Sequence, residues 1–108
     1  MFALFKRGAA TAPAMETLNT AATLCAGRME YACVIRQASK ERMSVLISRA
    51  ANISGAVIVV DHARGLAFEA RITAFKGQDV SLEIAASHKL GGLVPARLSR
   101  ARDIWKRT

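Results

Sequence analysis

From Asn19 onward, apolar and polar side chains follow one another in short runs with a period of two. In Phe68-Glu69-Ala70-Arg71-Ile72-Thr73-Ala74 the apolar set alternates without a break, and so it does in Val80-Ser81-Leu82-Glu83-Ile84. A two-residue period sends successive side chains to opposite sides of a pleated strand, so each run has one face to bury. Met43, Val45 and Ile47 alternate in the same way with Ser44, Leu46 and Ser48. Earlier, Ala21–Cys25 and Glu30–Arg36 flank Ala26-Gly27-Arg28, which reads as a hairpin turn. Gly55–Val60 is β-branched throughout its second half and cannot be exposed on both faces. Turn clusters at Asp61-His62-Ala63-Arg64-Gly65 and Lys76-Gly77-Gln78-Asp79 separate the last three runs.

Six short strands joined by tight turns predict an all-β domain, either a small six-stranded antiparallel barrel or a sandwich. The ending has another period. After Gly91-Gly92, Pro95 suits the first turn of a helix. Leu98, Ala101, Ile104 and Trp105 then recur at helical spacing, with arginines on the other faces. This predicts a C-terminal amphipathic α-helix of about three turns that packs its Trp105 side on the sheet. The small, aperiodic residues before Asn19, interrupted by Pro13, predict a flexible leader. The expected organisation is a leader over residues 1–17, a barrel over 18–92 and a basic helix over 93–108.

Composition adds little to the fold and more to the function. The chain has 108 residues, 52% of them hydrophobic, enough for one domain with a core of its own. Lys6-Arg7 follows Met1–Phe5, the reverse of a signal peptide's order, and no apolar run approaches the ~18 residues of a membrane span, so a cytoplasmic location is expected. Cys25 and Cys33 form no C-x-x-C pair, and His62 and His88 stand apart. The cysteines read as buried thiols acting as small hydrophobes, and no metal or other cofactor is expected. The net charge of +8 favours anionic partners. Half of it lies in the tail, where Arg97, Arg100, Arg102, Lys106 and Arg107 stand against Asp103 alone.

The stretch from Ala22 to Ser39, with its hairpin running into Gln37-Ala38-Ser39-Lys40-Glu41-Arg42, resembles the opening of a PilZ domain. The resemblance spans residues 11 to 85, and Leu90-Gly91-Gly92-Leu93-Val94-Pro95 followed by a helix is similar to the ends of some PilZ proteins. It implies a six-stranded barrel with a C-terminal helix and a role in cyclic di-guanylate signalling. In that family an R-x-x-x-R segment and a D/N-x-S-x-x-G segment hold the ligand, the arginines through planar, multi-donor guanidinium groups. Here the two arginine positions fall near Thr11 and Met15; Gln37 replaces the Asp or Asn, Ser39 is kept, and Arg42 stands where the glycine should be. A hydrogen bond to a charged group is worth about 1.5–3 kcal/mol. Losing several would move a micromolar ligand out of a useful range, since ~1.4 kcal/mol is tenfold in affinity.

The resulting expectation is a degenerate PilZ-like module that acts by binding a protein with an acidic surface, through Arg97, Arg100, Arg102, Lys106 and Arg107. The alternative is a cyclic di-GMP receptor with an altered site, carried by Arg36, Ser39, Arg42, Lys6 and Arg7. Nucleic-acid binding through the basic tail comes third, because the six aromatic residues are scattered and offer no stacking platform. Phe2, Leu4 and Phe5 beside Lys6-Arg7 could form a weak interfacial anchor, which a frayed terminus explains more simply. An edge strand or the Trp105 helix is compatible with a homo-oligomer. No nucleophile elbow, phosphate-binding glycine loop, paired carboxylates or metal-ligand cluster points to an enzyme.

Overall fold

The computed structural model describes residues 16–49 and 51–107, with side-chain detail from Asn19 onward. Six strands follow one another: β1 (Glu16–Ala26), β2 (Met29–Ala38), β3 (Arg42–Ile47), β4 (Ala56–Asp61), β5 (Leu66–Lys76) and β6 (Asp79–Lys89). A 3-10 turn (Ala96–Leu98) then leads into α1 (Ser99–Lys106). All pairings are antiparallel, and the strands close in the order β1-β2-β3-β6-β5-β4. The barrel, one of the two all-β forms the pattern allowed, is therefore the observed one. Closure pairs most of the backbone groups that an open sheet would leave at its edges.

Alternation decides what fills the barrel. Leu24, Ile35, Met43, Val45, Ile47, Val59, Val80 and Leu82 point inward and are essentially inaccessible, with Tyr31, Cys33 and Phe68 completing the interior. A second apolar layer lies outside, under α1. There Cys25, Val60 and Ala67 meet Leu90, Ala101 and Ile104, with Ile58, Val94 and Trp105 packed at the margin. The unbroken run in β4 now has its reason: Val57 and Val59 serve the interior, Ile58 and Val60 the helix. A strand covered on both sides reads as continuously apolar.

Several boundaries differ from expectation. β1 already begins at Glu16, inside the stretch expected to be leader, and the rest of that leader lies outside the described residues. β5 and β6 run on to eleven residues each. The second half of β6, Ala85-Ala86-Ser87-His88-Lys89, lacks β-branched residues and is held by its pairing with β5. The helix is shorter than three α turns. Pro95 caps a 3-10 turn, in which the Leu98 amide donates to the Pro95 carbonyl, and eight α-helical residues follow.

Candidate functional site

On the face where the resemblance places a ligand, the residues are brought close but engaged elsewhere. The register of β2 against β3 shifts between Ile35 and Gln37, so Arg36 is the extra residue of a bulge. Arg36 and Gln37 are both exposed in consequence. Arg42 opens β3 beside them. Two clefts result, one of about 430 Å³ lined by Gln37, Arg42, Ser44, Thr73 and Glu83, and one of about 320 Å³ lined by Arg36, Gln37, Ser44 and Asp79. Each arginine thus shares its cleft with a carboxylate, and Glu83 is the direct cross-strand partner of Arg42. Ser39 is occupied within its own turn: its hydroxyl accepts from the Arg42 amide at 3.1 Å and the Glu41 amide at 3.4 Å. Lys6 and Arg7, the other residues expected here, lie outside the described residues.

The basic C-terminal segment is fastened to the barrel by its own arginines. Arg97 grips Glu69 of β5 with two parallel bonds, Nε to Oε2 at 2.9 Å and Nη2 to Oε1 at 3.0 Å. His88 of β6 meets the same carboxylate at 2.7 Å. Hydrogen bonds from Arg97 first, and His88 next, hold the Glu69 carboxyl well below the usual range, at about 2. The same carboxylate raises Arg97 above its ordinary value. Arg100 reaches across to the β1–β2 turn, donating to the carbonyls of Gly27 and Arg28 and to Glu30, and Arg107 meets Glu30 at 3.3 Å. Fork-shaped guanidinium groups suit such multiple bonding. Of the five basic residues expected to face a partner, three therefore also serve as clamps. Arg102 and Lys106 make no ion pair among the described residues.

Between this segment and the barrel wall lies a cleft of about 520 Å³. Arg97, Arg100 and Ala101 form one side, and Cys25 and Gly27 close one end. The outer faces of β4, β5 and β6 supply Ile58, Arg71 and Ala85. The hollow exists because small residues meet there: Ala56, Ala85 and Ala101 carry only a methyl, and nothing stands within 4 Å of where a Gly27 Cβ would be. Comparison with protein-family models, curated proteins and solved structures returns no significant match.

The remaining candidates of the sequence have structural roles. Cys25 lies under α1 and Cys33 inside the barrel, in different apolar layers, and both are free thiols. Burial pushes the Cys33 thiol up to about 12 and raises Cys25 as well. Asp61 is fully buried. Its Oδ1 accepts from the Ala63 and Arg64 amides and its Oδ2 from Arg64 Nε at 2.7 Å, so it shapes the turn. His62 bonds Thr23 at 2.9 Å, and its carbonyl accepts from the Trp105 indole N–H at 3.2 Å. Trp105 packs against the barrel as its helical position predicted. Among the described residues no group of three or more His, Cys, Asp or Glu is placed to hold a metal ion, and no helix is long and apolar enough to cross a membrane.

Sequence reasoning missed Glu69, Arg71 and His88. Glu69 and Arg71 read only as the polar face of a strand, and His88 only as a histidine standing apart from His62. Nothing in the chain signals that residues 69, 88 and 97 meet, because that follows from β5–β6 pairing and the return of the C-terminal segment.

Proposed function

We propose that this chain is a PilZ-like regulatory binding module that has lost cyclic di-GMP binding and works as a protein-interaction adaptor in bacterial signalling, in motility, pilus or envelope control. The observation that carries this reading is the clamping of the basic segment. Arg97 and Arg100 fix it against the barrel, so the positive charge belongs to a defined surface beside a cleft. A fixed charged surface loses less side-chain freedom on binding and selects acidic partners. The opposite side of the reading rests on the motif face. There Arg36 and Arg42 share their clefts with Asp79 and Glu83, and the Ser39 hydroxyl is committed to its own turn. A phosphodiester approaching them meets carboxylates as well as guanidinium groups.

The test is isothermal titration of the folded protein with cyclic di-guanylate at near-physiological salt. The expected result is no heat up to high micromolar ligand. Saturable binding in the micromolar range that is lost in Arg36→Ala and Arg42→Ala would establish instead a receptor with an altered site.

A further inference from the structure

We propose that the cleft between α1 and the β4–β5 wall binds an acidic peptide segment of a protein partner, with an aliphatic side chain on its floor and carboxylates on its rim. This rests on the adaptor reading above and names its site and the chemistry of the partner.

The rim is cationic. Arg71, Arg97 and Arg100 line it with one acid, Glu69, a balance of +2. Glu69 is already held by Arg97 and His88. Donor capacity is left over, because an arginine carries five N–H donors. Arg97 uses Nε and Nη2 and leaves Nη1; Arg100 uses Nη1 and Nη2 and leaves Nε. The Arg71 side chain makes no hydrogen bond or ion pair among the described residues, although Glu83 stands opposite it on β6. Two of the three guanidinium groups are thus pre-positioned and the third is free to close on a ligand.

The floor is aliphatic and small. Ile58 and Ala85 lie on it, and Ala56, the partner of Arg71 on β4, carries it to the rim. At about 520 Å³ the space falls in the ordinary range for ligand sites, roughly 300–1,000 Å³. No aromatic side chain lines it. A nucleotide base would lack the stacking surface such sites use, whereas a leucine or valine fits a floor of alanines and one isoleucine. Carboxylates two positions to either side of it in an extended segment share its face, and would then reach Arg71 on one side and Arg97 or Arg100 on the other.

The experiment measures fluorescence anisotropy of a labelled eight-residue peptide that carries Glu, Leu and Glu on alternate positions with Ser between them, against two control peptides with Lys for Glu or Ser for Leu. Arg71→Glu reverses a charge that fastens nothing. Ala85→Phe fills the floor from an exposed strand position, and circular dichroism melting checks that both variants remain folded. The parent peptide is expected to bind saturably and more weakly as salt rises, both controls to fail, and each variant to lose ~10-fold or more in affinity. Unchanged affinity in both folded variants overturns the proposal, as does wild-type protein that ignores the peptide. If the peptide is ignored and cyclic di-guanylate also gives no heat, the cleft assignment falls while the adaptor reading stands. Saturable cyclic di-guanylate binding that needs Arg36 and Arg42 would overturn the adaptor reading itself.

Discussion

Gly65 holds a left-handed backbone at φ +64°, and a Cβ there would stand 2.9 Å from the Trp105 ring. Two costs therefore fall on one position. A side chain in the left-handed region loses about 1–2 kcal/mol, and the contact with Trp105 adds to it unless the indole retreats from the outer apolar layer. Gly27 separates the two effects, because it has nearly the same φ, +60°, with open space around it. Urea unfolding is expected to show Gly65→Ala destabilised clearly more than Gly27→Ala, the latter by about 1 kcal/mol. Equal losses would mean that Trp105 does not pack over this turn. Asp61 completes the same turn from below: a fully buried carboxylate is tolerable there because two amides and the Arg64 guanidinium satisfy it.

At the scale of elements, the junction of β5, β6 and the 3-10 turn is electrostatic. Glu69 has its carboxyl depressed from about 4.5 to about 2, so its contribution to stability is present in full above pH 4.5 and disappears as the pH falls through 2. Thermal melting should therefore find Glu69→Gln a few degrees below wild type at pH 7, with the gap closing as the pH approaches 2. A gap independent of pH would show that the carboxylate's charge is not what ties these elements together. The legibility of the elements follows from the same physics. Strands β3, β5 and β6 announced themselves where alternation was strict, as in Val80-Ser81-Leu82-Glu83-Ile84. They faded where tertiary pairing replaces propensity, as in Ala85–Lys89. Trp105 and Ile104 were legible through their spacing. The bulge that exposes both Arg36 and Gln37 was not, since a one-residue insertion in a ladder is set by the partner strand. For the candidate site, the tail arginines stood out by their number, but Arg71, Glu69 and the small residues that hollow the cleft became meaningful only once β4, β5 and α1 were side by side.

Across the whole molecule, the barrel and α1 are joined through two apolar layers, one on either side of the wall made by β1, β4 and β5. Ala101 and Ile104 are buried in the outer layer, Leu98 of the 3-10 turn is itself inaccessible, and arginine clamps sit at both ends, Arg97 at the 3-10 turn and Arg107 at the helix end. Eight residues make too short a helix to persist alone in water, so α1 depends on this docking. The functional reading depends on it too, because a basic segment that detached would be a flexible charged tail with no cleft beside it. Residue-resolved amide hydrogen exchange tests this most directly. The account predicts that the hydrogen-bonded amides at the end of α1, Arg107 among them, exchange with protection comparable to those of β4. Exchange in α1 that is ~100-fold or more faster than in β4 would contradict it, showing a helix that opens independently of the barrel.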